Sequence, residues 1–386
     1  MAIINRIAEF HADMTAWRRR IHANPETAFE EHDTAAFVAS QLEAFGLSVD
    51  RGLARTGVVG TLEGRRPGGA IALRADMDAL HVHEKNGFAH ASHVAGKMHA
   101  CGHDGHTAML LGAARYLAET RNFAGTVRFI FQPAEENEGG GREMVEDGLF
   151  DKFPVEAVYG MHNWPGLAVG AFAVRPGPML AACDLFEIAV EGKGAHAALP
   201  HLGIDPVICA SQIATALQTI TSRNTHPLDS AVVSITQIHG GDTWNVIPER
   251  VVLRGTTRSF KPELQDAIEA ALRRIATGVA ASMGARVEIF YDRRYPATVN
   301  SAPETVIAAD AAAAVVGAER VERNVQPTMG AEDFAFMLNE KPGCYIFIGN
   351  GGAGAGLHNP HYDFNDDILP IGASYWASLV ERVLAR

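Results

Sequence analysis

The stretch Met98–His106 (MHACGHDGH) sets a thiol and an imidazole two residues apart, at Cys101 and His103. Gly102 between them lets the backbone turn tightly. Thiolate with imidazole suits zinc, nickel, cobalt or manganese, and geometry chooses among them. A second cluster, Gln132–Glu138 (QPAEENE), follows the apolar run TVRFIF. Of two adjacent carboxylates, Glu135 and Glu136, one can hold a metal while its neighbour acts as general base toward a water. Gly160–Trp164 (GMHNW) offers His162, and Gly356–His361 (GLHNPH) offers His358 and His361. Singly, each has a plainer reading: a polar loop with Asp104 as helix cap, an acidic solvated loop, a structural histidine. Together they change weight. Each follows an apolar run that reads as a strand, or opens a helix, and each brings a metal-ligand type. Such a set exceeds what one hydrolytic ion needs. It suits two ions about 3.5–4 Å apart that share a bridging ligand and a bridging water.

Three more candidates lie further along. His196 sits in the turn GKGAHAALPH, Asn245 in DTWNVIPE, and Arg258 in the run VVLRGTTRSF. Arg and Asn suit a carboxylate or a developing oxyanion. Alone, His196 reads as a turn residue and Arg258 as a solvated charge at a strand end.

These residues need elements to position them. Ile3, Ile7, Phe10, Met14, Trp17 and Ile21 recur at helical spacing and read as one amphipathic helix, stopped by Asn24-Pro25. A second helix is expected from Thr27 to Phe45, with Gly46 past its end. Val58–Leu62, Ala70–Leu73, Thr126–Phe131 and Val155–Tyr159 read as strands, and His106–Leu117 as a helix between them. Strands alternating with helices predict an α/β sheet with parallel members. Near Cys183 the pattern changes. Asp184–Glu191, Ala231–Ile238, Arg250–Thr257 and Arg286–Tyr291 read as strands, with helices at 205–221 and 262–282. The order β-α-β-β-α-β is that of a ferredoxin-like module. After Pro296 mixed elements return, including the buried-looking strand YIFIG. The expected architecture is an α/β domain of residues 1–182 and 295–386, interrupted by an α+β ferredoxin-like module of residues 183–294.

At 386 residues the chain has room for about two domains. Hydrophobic residues make up 47% and charged residues 20%, which excludes disorder. A net charge of −12 disfavours nucleic acid and anionic membranes as partners. Four cysteines are too few and scattered for a disulfide scaffold. The first twenty residues lack the apolar core of a signal peptide, and no run is long enough to span a membrane, so a cytoplasmic protein is expected.

Beyond single motifs, RADMDAL, MHACGHDGHTAMLLGAA, FQPAEE, GMHNWPG, GKGAHAALPH, GGDTWNVIP, GTTRSF, MGAEDFAF and LHNPHYDFND occur in this order. From about residue 10 to the end, the chain resembles the M20 metallopeptidase family. It is most similar to the amidohydrolase branch, which includes hippurate hydrolases, N-acyl-amino-acid amidohydrolases and plant auxin-conjugate hydrolases. The resemblance implies a two-metal catalytic domain with a mixed sheet, interrupted by a ferredoxin-like lid. Cys101, His103, Glu136, His162 and His358 match the family's metal ligands, and Glu135 its general base. His196 and Asn245 match lid residues that reach toward substrate or a neighbouring subunit, and Arg258 a lid arginine for the substrate carboxylate. Asp76 matches an aspartate near the metals, with a supporting role expected in orienting a ligand. One departure is His81, where the branch usually has proline. Relatives outside the branch carry an HxD motif where this chain has Arg74-Ala75-Asp76.

The resemblance implies two divalent ions per subunit, manganese or zinc, with cobalt or nickel as alternatives. The expected substrate is a small N-acyl amino acid, cut to a carboxylic acid and an amino acid, with His196 helping to hold the oxyanion. A homodimer or larger homo-oligomer through the lid is expected. Two other readings stand beside it: a dipeptidase or carboxypeptidase on the same scaffold, and a metal-bound binding protein without turnover. A protein without turnover has no chemical need for the base Glu135.

Overall fold

A computed structural model of the protein describes residues 2–136 and 138–385. The chain forms two compact units. One comprises Met1–Met179, Thr298–Pro327 and Asp333–Arg386, the other Leu180–Ala297 with Thr328–Glu332. The short return segment Thr328–Glu332 carries no sequence signal for its place. It joins the second unit through hydrogen bonds, Ala181 N–H donating to Gly330 O at 2.9 Å and Arg258 Nε to Met329 O at 3.2 Å.

The first unit is built on an eight-stranded mixed sheet. Its order is Ser48–Leu53, Gly57–Glu63, Thr126–Gln132, Ala70–Asp76, Ala157–Pro165, Gly343–Gly351, Phe172–Ala173 and Val321–Glu322. The four central neighbours, from Thr126–Gln132 to Gly343–Gly351, are parallel to one another. Their sequences are the near-continuous apolar runs of strands covered on both faces, and Leu73, Phe129, Phe131, Tyr159 and Ile346 are buried. Parallel pairing sets Asp76 level with Gln132 and His162 level with Phe347. The carboxyl ends of four strands therefore share one edge, the edge where ligands collect in sheets of this kind. Helix His103–Thr120 packs against helices His11–Ala23 and Leu369–Val383. Gly112 allows the approach, since a Cβ there would stand 2.3 Å from Met14 Sδ.

Local readings shift where backbone detail decides. The N-terminal pattern is two helices, Asn5–Glu9 and His11–Ala23, parted at Phe10. The next helix starts at His32 rather than Thr27, because Thr27 bridges to Ala79 and Phe29 takes a left-handed φ of 61°. Ser48–Leu53 (SVDRGL) forms a strand without an alternating apolar pattern. GMHNW is not a loop after a strand: the strand runs Ala157–Pro165 and carries His162 within it.

The second unit has a four-stranded antiparallel sheet in the order Ala231–His239, Arg250–Ser259, Ala182–Glu191 and Arg286–Tyr295. With helices Pro206–Leu217 and Pro262–Ser282 it follows β-α-β-β-α-β, and it has its own core around Ile188, Leu217, Leu253 and Leu272. The first of these helices ends at Leu217, short of Thr221, and a π-helical turn Ile220–Asn224 follows.

Asp205 caps that helix, its Oδ1 accepting from Val207 N–H at 2.8 Å and Ile208 N–H at 3.3 Å. Asp205→Ala is expected to cost about 1 kcal/mol. Asp205→Asn, which keeps an acceptor, should be close to neutral. Urea unfolding followed by circular dichroism checks both.

Candidate metal centre

The loop before helix His103–Thr120 can form only with glycine in its middle. Gly102 has φ of 91°, and a Cβ there would lie 2.3 Å from Asn163 Nδ2. Asn163 Nδ2 donates to Cys101 O at 2.6 Å, and its Oδ1 accepts from Tyr362 Oη at 2.7 Å. Gly102, not Asp104, is the N-cap of the helix. The Asp104 carboxylate turns instead to His22 Nδ1 at 2.9 Å and Arg18 Nη1 at 3.5 Å.

Among the overlapping groups of ligand atoms at the shared strand edge, each with all members within 4.8 Å, three link the candidate ligands. They are Cys101 with His103 and His162, Cys101 with Glu136 and His358, and His103 with Glu135 and Glu136. The six residues arrive from four places in the chain. Cys101 and His103 come from the helix-opening loop, and Glu135 and Glu136 from the turn after Thr126–Gln132. His162 comes from inside a strand, and His358 from the loop after Gly343–Gly351. His358 has a left-handed φ of 61°, and its N–H donates to Ala100 O at 2.8 Å, which ties its loop to the Cys101 loop. The neighbouring His361 joins none of these groups among the described residues.

The donor set fits divalent cations. His103 Nδ1 is held at 3.1 Å from Asp78 Oδ1, while its buried Nε2 has no hydrogen-bond partner among the described residues. An imidazole with one nitrogen anchored by a carboxylate and the other left open is the arrangement of a metal-ligating histidine. Cys101 Sγ lies 3.3 Å from His162 Nε2, and His162 Nδ1 is 2.6 Å from Asn163 O. His358 Nε2 lies 3.1 Å from Glu136 Oε1.

Electrostatics point the same way. Burial pushes the Cys101 thiol well above its usual range, and the charges of Glu136, Glu135 and Asp76 add to this. Burial disfavours charge on His103, but Asp76 and Asp78 outweigh it and hold the imidazole up at about 10. Burial, then His106, presses His162 well below the usual range. The centre thus favours positive charge, which Asp76 and Asp78 hold on His103, while burial keeps His162 neutral.

Asp76 sits at the end of strand Ala70–Asp76. Its Oδ1 lies 2.6 Å from His106 Nδ1, and its Oδ2 is 2.7 Å from Arg74 Nη1 and 3.7 Å from His103 Nε2. The residue that anchors His103 is its neighbour Asp78, whose Oδ2 also accepts from Glu136 N–H at 2.9 Å. Sequence reasoning did not single out Asp78, His106, Asn163 or Glu31. The signal for the first was present: Arg74, Asp76 and Asp78 alternate at the end of an otherwise apolar run, which is where buried charge is least expected. Ala134, just before Glu135, takes a left-handed φ of 53°, a conformation that costs a non-glycine residue about 1–3 kcal/mol.

The remaining candidates lie in the second unit. His196 and Asn245 are exposed neighbours on a two-stranded ribbon, with His196 paired to Val246 and Ala197 N–H donating to Asn245 O at 2.9 Å. Arg258 lies on strand Arg250–Ser259, level with Cys183, and donates to Thr257 O at 2.9 Å and to Thr256 Oγ1.

Residues 72–382 match the family described as peptidase family M20/M25/M40. The chain is 40% identical over 377 residues to an N-acetylcysteine deacetylase of Bacillus subtilis, covering 97% of this chain and 98% of that one. It is 39% identical over 384 residues to a hippurate hydrolase of Campylobacter jejuni, covering both chains completely. Among solved structures it resembles a dinuclear metal binding peptidase of the M20 family from Bacillus subtilis. That TM-score is 0.86 at 37% identity, over 98% of this chain and 99% of the other.

Asp78→Asn replaces the carboxylate behind His103 with a neutral amide. It is expected to weaken metal affinity about 10–100-fold. Competition with a chelator, read by metal analysis of the protein, checks this.

Proposed function

Because the chain belongs to peptidase family M20/M25/M40, we propose that it is a metal-dependent hydrolase of N-acyl amino acids, releasing a carboxylic acid and a free amino acid. The observation that carries this reading is the linked set of ligand groups around Cys101, His103 and Glu136, with the carboxylate of Glu135 inside it. Full-length similarity to a deacetylase and a hippurate hydrolase supports the substrate class.

In this reading Cys101, His103, Glu136, His162 and His358 hold two divalent ions. Manganese or zinc suits the mixed thiolate, imidazole and carboxylate set, with cobalt or nickel as alternatives. When bound, the ions polarise the acyl carbonyl and make a water acidic enough to attack near neutral pH. Glu135, 7% exposed, takes the proton of the attacking water and delivers it to the leaving nitrogen. Asp78 keeps the His103 ring in place through Nδ1, and Asp76 does the same for His106. For the second unit we assign a lid role. His196 stabilises the oxyanion, and Asn245 and Arg258 orient the substrate carboxylate, the anion that a guanidinium and an amide recognise best.

Two further assignments accompany this reading. The first is a cytoplasmic location. Cys101 can serve as a thiolate ligand only where it stays reduced, and all four cysteines are free. The second is a homodimer through the second unit. Strand Ala231–His239 lies at the edge of its sheet, and Ile208, Leu228 and Ile238 are exposed on the same unit. No helix among the described residues is long and apolar enough to cross a membrane.

Manganese-reconstituted protein is expected to hydrolyse N-acetyl and N-benzoyl amino acids in preference to matched free-amine dipeptides. Preference for the dipeptides would move the protein to the peptidase reading. Glu135→Gln should lower turnover by about 10²–10⁴-fold while keeping its metal. Near-normal turnover would remove Glu135 as the base. Cys101→Ala should lower metal stoichiometry. Ile238→Lys, a charge on the sheet edge, should yield monomers by light scattering.

A further inference from the structure

Glu31 precedes helix His32–Ala44, but its side chain makes no capping hydrogen bond to that helix. The buried carboxylate is directed elsewhere. Its Oε1 accepts from Ala134 N–H at 2.9 Å and from Phe29 N–H at 3.1 Å, and its Oε2 accepts from Thr56 Oγ1 at 2.7 Å. These three partners lie at or directly after backbone of one unusual kind. Six non-glycine residues among those described have positive φ: Phe29, Ala54, Arg55, Arg121, Ala134 and His358. Phe29 and Ala134 are bonded to Glu31 directly, and Ala54 and Arg55 immediately precede Thr56. One carboxylate thus ties together three segments with strained backbone. Arg55 adds a contact between two of them, its guanidinium lying 4.0 Å from the centre of the Phe29 ring.

Ala134 is the partner that bears on chemistry. It follows Pro133 at the end of strand Thr126–Gln132 and immediately precedes Glu135 and Glu136. Ala134 is left-handed there, and its carbonyl oxygen accepts from Gly140 N–H at 2.9 Å. An alanine holds such a conformation only when its surroundings over-determine it. The Ala134 N–H lies in the interior, where it needs an acceptor. Glu31, 103 residues earlier, supplies it.

We propose that Glu31 is a positioning residue: its carboxylate fixes the bend at Ala134 and so sets the directions of the Glu135 and Glu136 side chains. The proposal rests on the reading of Glu135 as base and Glu136 as ligand. Loss of the Ala134 hydrogen bond lets the bend relax, and both carboxylates move with it. Displacement of about 1 Å at a reacting group costs about 100-fold in rate. Gln at position 31 retains a carbonyl oxygen for the two N–H donors, and its amide can donate to Thr56 Oγ1. Asp retains the charge but is one methylene too short to hold the same distances.

The test compares Glu31→Ala, Glu31→Asp and Glu31→Gln in full-length protein. Turnover is measured with manganese, and the visible absorption spectrum with cobalt(II) as the probe. Expected are an altered cobalt spectrum and an approximately 100-fold loss of kcat with little change in KM for Ala and Asp. Gln should restore both toward wild type. If Glu31→Ala does not fold, Glu31→Asp carries the comparison. An unchanged cobalt spectrum and unchanged kcat per folded molecule in Ala or Asp would overturn the proposal and leave Glu31 a structural strut. The cobalt spectrum needs no substrate. Failure of the hydrolase reading would instead appear as an inactive wild type, whatever the variants do to the spectrum.

Discussion

Negative charge crowded out of water is the constraint on which the rest of this structure depends. Asp76 and Asp78 are buried, Glu135 is nearly so, and Glu136 and the Cys101 thiol stand among them. Each charge taken from water costs several kcal/mol unless it is compensated. Arg74, itself buried, is shared between Asp76 at 2.7 Å and Asp333 at 3.1 Å. Burial, with the carboxylates beside it, makes the Cys101 thiol resist ionisation, and Asp76 and Asp78 outweigh burial to keep the proton on the His103 imidazole. Both effects invert when cationic charge enters, because a metal favours the thiolate and displaces the imidazole proton. The cluster is well suited to an ion site.

The fold meets this constraint by bringing four parallel strand ends to one edge. Where the chain leaves a strand, local devices turn the side chains inward. Gly102 supplies a left-handed turn where any Cβ would strike Asn163. Ala134 supplies another, held by Glu31. His162 needs no turn, because strand alternation already aims it. His106 and Thr107 follow His103 on the same helix and fasten it to the end of strand Ala70–Asp76. Thr107 Oγ1 donates to Asp76 O at 2.9 Å, and His106 binds the Asp76 carboxylate. The centre is therefore built from backbone geometry as much as from ligand chemistry.

That division explains what could be read from the sequence. Cys101, His103, Glu136, His162 and His358 stand out because cysteine and histidine beside carboxylates have few other common uses in such clusters. The β-α-β-β-α-β order of the second unit is legible because its strands alternate and its helices are well delimited; Pro262–Ser282 runs as its spacing predicts. Asp78 and Asn163 are not legible in the same way. Aspartate and asparagine serve caps and turns far more often than metal sites. Glu31 is harder still, because its partner Ala134 lies 103 residues away and has no reactive side chain. The strand Ser48–Leu53 escapes because edge pairing with Gly57–Glu63, not its own polar sequence, makes it a strand.

Among the candidate ligands, His358 differs in kind. Cys101, His103 and His162 are buried, while the His358 side chain is 54% exposed. It follows the glycine-rich segment 349–356 and has a left-handed backbone. Its tether to the centre is the N–H bond to Ala100 O, with Glu136 facing its ring. Glu136 is the next most exposed member, its side chain 11% accessible. Solvent therefore reaches the centre from the side of His358 and Glu136, while Cys101, His103 and His162 form its closed floor. Glu135, although it neighbours Glu136 in the same turn, is as buried as Cys101 and His162, so the exposed rim is His358 and Glu136 alone among these residues.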